Sequence, residues 1–363
     1  MKRVVLCADG TWNIRDQVDP KSGTRHPTNV TKVARAILPR ASNGIDQVVC
    51  YHEGAGTAAG LDHWTGGAFG DGIENNIREL YRFIVYNYEP GDELYLFGFS
   101  RGAFTVRTLA GFINKFGLLH KGDDYCVPDL YDCYENNQGP GTDAWTKAFQ
   151  NVRSPHACPP IKFMGVWDTV GALGAPGFLG LLNKSKYKYH DVELNSYIEN
   201  AYQALAIDER RSPFTPNLWT RPQNWKGNLQ QAWFAGVHCN VGGGYSPDGL
   251  ANEALHWIAE KAEGLGLQFD SSYLQPFRPC FNSVLQDSMT LMYRFFGPHI
   301  RLIGEHLADG EAIHKSAIDR KDLAECNYNP PNLLGFLAQK TAPVGTTRVP
   351  TGVPCPPVRA ETL

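Results

Sequence analysis

Five short runs of mostly apolar residues recur along the chain, and each has the length and composition of a buried strand. They lie at 3–8, 47–52, 93–99, 161–168 and 231–237, and they are rich in Val, Leu, Phe, Tyr and Trp. Nearly continuous apolarity is typical of strands that are covered on both faces, as in a parallel sheet. The runs therefore predict five buried strands.

Between these runs, apolar residues return every three to four positions, which is the spacing of amphipathic helices. The pattern predicts helices over 28–38, 73–88, 101–117, 192–211 and 250–266. Strands that alternate with helices form βαβ units, whose strands pair in parallel. We therefore expect an α/β fold with a doubly wound, mostly parallel sheet flanked by helices.

Three segments interrupt this alternation. Residues 54–72 are rich in glycine and predict a loop, whereas the polar residues 120–160 predict an insertion into the fold. The tail at 341–363 contains five prolines and is predicted to be extended. Residues 1–340 are then expected to form a single domain, with the insertions making a cap over it.

The strand predicted at 93–99 ends in the sequence Gly-Phe-Ser-Arg-Gly, and a helical pattern follows immediately. A serine on a sharp turn between a strand and a helix is the setting of the nucleophile in an α/β hydrolase. Gly98 and Gly102 would relieve clashes between this turn and the neighbouring chain. Ser100 is therefore predicted to be the nucleophile of an α/β-hydrolase-like fold, and a plain strand-to-helix turn is the alternative.

A serine nucleophile needs a base, and in this fold an acid and then a histidine follow the serine, each just past a strand. The next strand-like run ends in Asp168, and the last one is followed by His238 and a run of glycines. We therefore predict Asp168 as the acid and His238, on a loop tip, as the base. Asp208 is the reserve acid, with a salt bridge to Arg210 or Arg211 as its alternative role.

Ester hydrolysis also needs two N–H donors for the oxyanion of the tetrahedral intermediate. The backbone amide of Arg101, which follows the serine, is predicted to be one donor. The second is predicted at Gly10 or Thr11, where small residues follow the first strand. Asp9 is expected to orient this turn through a hydrogen bond.

Seven segments of the chain together resemble the DUF2235 family of α/β-hydrolase-like proteins, which includes the Tle1-type phospholipase effectors of bacterial type VI secretion. The segments are ADGTWN (8–13), TNVTKVARAI (28–37), YHEGAGT (51–57), FGFSRGAFTVRTLAG (97–111), GVWDTVGALG (165–174), ALAIDERRSPF (204–214) and WFAGVHCNVGGGY (233–245). The matches span residues 4–267. The resemblance implies a serine esterase or lipase and places the family's triad on Ser100, Asp168 and His238.

One position departs from the family pattern. The resemblance also does not determine which ester is the substrate. Asn240 stands two residues past the histidine, where family members often carry Asp or Glu. A phospholipid, attacked by a phospholipase A-type antibacterial effector, and a smaller acyl ester are both open as substrates. Transient membrane contact is compatible with either.

Tentative substrate contacts come from two stretches near the predicted site. Residues 175–189 follow the acid, and Phe178 and Leu179 are predicted to line an acyl pocket or a lid. Trp64 and Phe69, in the glycine-rich loop, are predicted to add to the same rim. A packed loop with a solvated basic edge is the alternative for 175–189.

Charge and cysteine content exclude several other classes. The net charge of −3 gives no basic excess for nucleic acid, and the nine cysteines contain no C-x-x-C pair for zinc or redox chemistry. No apolar run approaches the ~18 residues of a transmembrane helix, and the first is too short for a signal peptide. The protein is predicted to be cytoplasmic, with export by a signal-independent secretion system still open. The sequence gives no oligomeric state.

Three rival functions are weaker. The glycines from Gly54 to Gly60 suggest a dinucleotide loop, but no helix pattern begins inside them. The Asp-Gly-Thr after the first strand suggests a phosphatase, but Cys7 stands where its aspartate nucleophile would be. A non-catalytic binding module is the third rival. No cofactor and no metal are predicted; Asp62, His63 and Asp71 in the glycine-rich stretch are the alternative that leaves a metal open.

Overall fold

In the computed structural model of this chain, the described residues are 1–10, 23–54, 66–153, 155–171, 194–289, 293, 297–339 and 344–345. Eight strands within them form one sheet, in which every neighbouring pair is parallel. In chain order the strands are β1 (Arg3–Ala8), β2 (Gln47–His52), β3 (Glu93–Phe99), β4 (Ile161–Trp167), β5 (Asn200–Ala206), β6 (Asn228–Phe234), β7 (Glu311–His314) and β8 (Val344–Gly345). The predicted parallel sheet is therefore confirmed.

Helices cover both faces of this sheet. The α-helices of the described residues are α1 (Asn29–Ala36), α2 (Gly66–Asn87), α3 (Arg101–Phe116), α4 (Val127–Glu135), α5 (Asp143–Phe149), α6 (His238–Gly242), α7 (Gly249–Glu263), α8 (Ser271–Leu274), α9 (Lys315–Asp322) and α10 (Pro331–Leu337). One core joins α2, α3 and α4 to one face, and a second joins α1 and α7 to the other. Since alternate residues of β1 point into the two cores, the strand is buried throughout, which explains its unbroken apolar run.

The predicted helix at 192–211 is wrong, because residues 200–206 in the middle of that range form the central strand β5. This strand has the small and flexible sequence Asn-Ala-Tyr-Gln-Ala-Leu-Ala, whose local preferences do not oppose a helix. Pairing with β4 on one side and β6 on the other supplies hydrogen bonds along both edges and overrides that preference. The strands that carry the predicted acid and base are consequently separated by one strand.

Two further boundaries differ from the sequence prediction. Helix α2 begins at Gly66, so the end of the glycine-rich stretch 54–72 is helical and not a loop. The insertion at 120–160 contains a 3₁₀ turn, α4 and α5, and α4 packs on α2 and α3. It therefore extends the helical layer on that face. The predicted lid at 175–189 lies outside the described residues.

The strand order places a crevice between β1 and β3, the second and third strands across the sheet. The order is β2-β1-β3-β4-β5-β6-β7-β8, so the chain leaves β1 on one side to form β2 and returns to the other side to form β3. In open parallel sheets such a reversal leaves a crevice outside the carboxyl ends of the two diverging strands, where ligands bind. The carboxyl ends of β1 and β3 are therefore where a site is expected.

Candidate active site

Ser100 occupies a strained turn immediately after β3. Its φ of 56° and ψ of −120° lie in a region that residues with a side chain rarely adopt. The turn is held on both sides: the Ser100 amide donates to the Trp167 carbonyl at 3.0 Å, and its carbonyl accepts from the Phe104 amide at 3.2 Å. Such strain persists only where the surrounding structure determines it, and it concentrates at functional sites.

The two glycines that flank Ser100 are sterically required. A Cβ atom on Gly98 would lie 2.6 Å from the Ala103 Cα atom, and one on Gly102 would lie 2.1 Å from the Ala8 carbonyl oxygen. Both of these atoms belong to the backbone, so they cannot rotate away from an added Cβ atom as the end of a flexible side chain could. The turn can therefore pack against α3 and β1 only because both positions lack a side chain, as predicted from the sequence.

Asp168 and His238 form a buried hydrogen-bonded pair beside this turn. Asp168 follows β4, and its Oδ2 atom lies 2.6 Å from His238 Nδ1. The His238 ring packs between Phe99 and Phe214, with ring centroids 4.6 and 4.9 Å away. Because Phe99 directly precedes Ser100, the structure brings the three predicted residues to the same edge of the sheet.

His238 begins the short helix α6, so its predicted position on a loop tip is wrong. The glycines after it still have the predicted effect of bringing this segment close to the serine. A Cβ atom on Gly242 would lie 1.9 Å from the Phe99 ring, so this glycine permits α6 to pack directly on the residue before Ser100. Gly243 then leaves the helix at a φ of 90°, a conformation that glycine adopts readily.

Arg301 is a partner of Asp168 that the sequence did not predict. The residue is 2% exposed, and its Nη1 and Nη2 atoms lie 2.7 and 3.0 Å from the two carboxylate oxygens of Asp168. The same guanidinium donates to the carbonyls of Ala206 and Phe214, at 2.7 and 2.5 Å. Arg301 belongs to the apolar-rich stretch 281–303, which holds two arginines, and nothing in its local sequence distinguishes it as a buried cation.

These partners keep Asp168 ionised. Burial acts to raise the pKa of this carboxyl, but the Arg301 charge and the His238 hydrogen bond outweigh it and hold the pKa well below its ordinary value. For His238 the balance is reversed, because burial lowers the pKa of the imidazole against the opposing effect of Asp168. At neutral pH, the pair is therefore a carboxylate and a neutral imidazole that donates Nδ1–H to it and leaves Nε2 as a proton acceptor.

The reserve acid Asp208 has a different environment from the one predicted. Its Oδ2 atom accepts from the Gly236 amide at 2.6 Å and from the Tyr328 hydroxyl at 2.8 Å. Within the described residues it forms no ion pair with Arg210 or Arg211, so the predicted salt bridge is wrong. Burial raises its pKa, and its contacts tie β5 to the strand and loop beside it.

The acidic partner of Arg211 is Glu209, the residue that follows Asp208 in the sequence. The two side chains pair at 2.9 Å, and Glu209 also accepts from the backbone amide of His238 at 3.2 Å and from the Ser288 hydroxyl at 3.0 Å. Glu209 is 1% exposed. It therefore anchors the start of α6, and with it the position of the histidine.

Asp9 is a second buried carboxylate at this edge of the sheet. Its Oδ1 atom accepts from the Gly10 amide at 2.7 Å, which bears out the orienting contact expected in this turn. Its Oδ2 atom accepts from three hydroxyls, those of Thr28, Thr31 and Tyr51. Since the Gly10 N–H is directed at Asp9, this amide is not available to an oxyanion in this arrangement. Thr11, the alternative donor, lies outside the described residues.

The remaining predicted residues are located as follows. Arg101 is the first residue of α3, and burial lowers the pKa of its side chain to about 10. Trp64, Phe178 and Leu179 lie outside the described residues, and Phe69 belongs to the part of α2 for which only the backbone is described.

No metal site is visible within the described ranges, where no group of three or more His, Cys, Asp or Glu side chains could hold an ion. Asp62 and His63 lie outside these ranges. The eight cysteines in the described part of the chain are free thiols. No helix among the described residues is long and apolar enough to span a membrane.

A doubly wound parallel sheet with a strained serine after β3, and a buried Asp–His pair beside it, defines the class of α/β-hydrolase-like proteins. The family model for the phospholipase effector Tle1-like catalytic domain of the type VI secretion system matches residues 2–261. The chain belongs to this family, which confirms the resemblance seen in the seven sequence segments.

The individual proteins and structures that this chain resembles share at most 28% sequence identity with it in the comparisons below. An uncharacterized protein of Saccharomyces cerevisiae is 28% identical over 240 residues, which cover 60% of this chain and 33% of the yeast protein. The structure of an uncharacterized protein from Pseudomonas aeruginosa has a TM-score of 0.47 at 17% identity and covers 77% of this chain and 49% of its own. The structure of the Tle1 effector bound to the VgrG spike of the type VI system has a TM-score of 0.38 at 20% identity, covering 68% and 51%. The chain thus spans a third to a half of these relatives.

Proposed function

We propose that the protein is a serine hydrolase that cleaves carboxylic esters of lipids, with Ser100 as nucleophile, His238 as base and Asp168 as the orienting acid. The observation that carries this proposal is the buried 2.6 Å hydrogen bond between Asp168 and His238, next to a serine held at a φ of 56°. A carboxylate, a neutral imidazole and an activated serine are the groups that acyl transfer requires.

In this mechanism the Ser100 hydroxyl attacks the ester carbonyl while His238 Nε2 accepts its proton. The tetrahedral intermediate collapses, and the alcohol leaves with the proton returned by His238, which gives an acyl-enzyme. His238 then removes a proton from the water that attacks the acyl carbon, and it returns this proton to Ser100 Oγ as the bond between serine and the acyl group breaks and the acid leaves. Asp168 holds the Nδ1–H bond throughout and stabilises the imidazolium that forms twice in the cycle.

The oxyanion of both intermediates is proposed to accept a hydrogen bond from the Arg101 amide, at the positive end of α3. The second donor is proposed in the turn after β1. Because the Gly10 amide donates to Asp9, Thr11 is the better candidate of the two. Gly10 could serve only if the Asp9 contact opened when substrate binds.

Membership of a phospholipase effector family favours a lipid ester over a small soluble one. A phospholipase A-type effector is therefore the second, more specific candidate. Trp64, Phe69, Phe178 and Leu179 stay predictions for the acyl-binding rim, and a cytoplasmic location stays a prediction as well. The non-catalytic alternative is weakened by the ionised Asp168, since a fixed charge behind a buried histidine has a direct use in catalysis.

The test combines active-site labelling with two substrate series. We expect a fluorophosphonate to label Ser100, and we expect activity on p-nitrophenyl esters of increasing chain length to parallel fatty-acid release from phosphatidylcholine vesicles. Ser100→Ala should lose both activities by on the order of 10⁴-fold or more. Ser42→Ala, which alters an exposed serine in the turn between α1 and β2, is the matched control. An unlabelled Ser100 in folded protein, or an active Ser100→Ala variant, would contradict the proposal.

A further inference from the structure

Arg301 adds a buried cation to the Asp168–His238 pair. Its Nη2 atom lies 3.0 Å from the Asp168 Oδ2 atom, the same oxygen that lies 2.6 Å from His238 Nδ1. Its Nη1 atom lies 2.7 Å from the other oxygen. An acid that only orients a histidine needs hydrogen-bond donors on its free oxygen, and the Ala206 amide already donates to it at 3.0 Å. Orienting the histidine therefore does not by itself explain why a guanidinium, with a full positive charge, binds both oxygens of Asp168.

We infer that Arg301 is a positioning residue that fixes the Asp168 carboxylate and, by offsetting its charge, sets the pH at which His238 takes up a proton. The inference rests on the proposed function, in which His238 must be neutral to act as base. With Arg301 in place the histidine stays neutral, and the enzyme stays active, to lower pH than the Asp–His pair alone would allow.

The charges that face His238 come from three segments and nearly balance. Asp168, after β4, and Glu209, after β5, favour the imidazolium. Arg211, also after β5, opposes it, and Arg301 acts through the carboxylate it binds. The Phe99 and Phe214 rings supply the apolar walls. The charges of the two carboxylates and the two guanidiniums offset one another. The protonation state of His238 is then set by burial, which favours the neutral ring.

Removing the Arg301 charge would break this balance in a defined direction. One carboxylate would then be uncompensated next to the imidazole, and a nearby negative charge stabilises the imidazolium. The pKa of His238 should rise, so the acid limb of the pH profile should move to higher pH. A purely structural arginine would behave differently, because its loss would reduce activity at every pH without moving that limb.

The experiment compares the pH dependence of kcat/KM for the wild-type chain, Arg301→Gln and Arg301→Lys. We expect the acid limb of Arg301→Gln to move up by about one pH unit, since a neighbouring charge shifts a pKa by about that amount or more. Arg301→Lys keeps the charge and should stay closer to wild type. Arg221→Gln, at an exposed arginine over Trp225, is the matched control and should not move the limb. A lower rate with an unmoved limb in Arg301→Gln would overturn the inference.

A measurement that needs no turnover separates this inference from the proposed function. In a Ser100→Ala background, an NMR titration of the His238 ring should show the same upward shift in Arg301→Gln. If the wild-type chain hydrolyses no ester while His238 in the Ser100→Ala background still responds to Arg301, the hydrolase proposal alone is contradicted. An active enzyme whose His238 titration ignores Arg301 would overturn the positioning role alone.

A second pair of variants is available if Arg301→Gln does not fold because the buried negative charge of Asp168 has lost its cation. Asp168→Asn is then compared with the double variant Asp168→Asn/Arg301→Gln, in which both buried charges are gone. The cation repels the imidazolium in the single variant, so we expect a higher His238 pKa in the double variant by NMR. Equal values would overturn the inference.

Discussion

Asp168 and Asp9 are both buried carboxylates that directly follow strands of the same sheet, yet their partners differ in kind. Asp168 is bound by the Arg301 guanidinium and the His238 imidazole. Asp9 is bound by one amide and three hydroxyls, all neutral. The partners hold the pKa of Asp168 well below its ordinary value, whereas burial raises the pKa of Asp9 in spite of four hydrogen bonds. Burial alone therefore does not decide whether an acid at this edge keeps its charge.

The difference separates two uses of a carboxylate. A fixed charge such as Asp168 can stabilise an imidazolium that appears and disappears during turnover, which is an electrostatic task. Asp9 accepts hydrogen bonds from the start of α1, the end of β2 and the turn after β1, and these bonds hold the three segments together. Its role is therefore structural. The two regions are in contact at Gly102, where the Ser100 turn packs against the backbone of Ala8 and Asp9.

The largest predicted effect is on the charged side of this comparison. Asp168→Asn should lower kcat/KM by about 10⁴-fold, as replacing the acid of a serine triad does, because the amide cannot hold the histidine in the required tautomer. Hydrolysis of a lipid ester near neutral pH is the measurement. Asp208→Asn, which changes the reserve acid, is the control and should stay within tenfold. Equal losses in the two variants would move the role of the acid away from Asp168.

The sequence was sufficient to place the residues that directly follow strand-like runs. Ser100, Asp168 and His238 each follow a strand-like run, so the edge of the sheet on which they lie was predictable from pattern alone. Arg301 was not, because it lies 133 positions from Asp168 in an irregular segment, and no local pattern links the two. The pairing of Glu209, and not Asp208, with Arg211 depends on which way each side chain points in the segment that follows β5. The helix predicted over 192–211 gives the wrong direction for both carboxylates.

The second prediction concerns the contact between the two regions. Gly102→Ala places a Cβ atom 2.1 Å from the Ala8 carbonyl oxygen, so either the Ser100 turn or the end of β1 must move. We expect a loss of about 3 kcal/mol or more in the free energy of unfolding, measured by chemical denaturation, together with loss of esterase activity. Gly335→Ala is the control, because among the described residues nothing outside its own helix backbone lies within 4 Å of its added Cβ atom, and it should change stability by less than about 1 kcal/mol. A stable and active Gly102→Ala variant would show that the turn does not depend on this contact.

The smallest predicted effect tests the neutral side of the comparison, through the pH dependence of stability. A carboxyl with a raised pKa in the folded state binds protons more readily folded than unfolded, so its contribution to stability falls as pH rises through that pKa. Lowering the pH from 7 towards 4 should therefore stabilise the wild-type chain relative to Asp9→Asn, which cannot titrate. Each pKa unit of difference between the two states corresponds to about 1.4 kcal/mol, and urea denaturation at several pH values would resolve it. If the stability difference between the two chains stayed constant over this range, Asp9 would ionise as freely as in the unfolded chain, and the contrast with Asp168 would disappear.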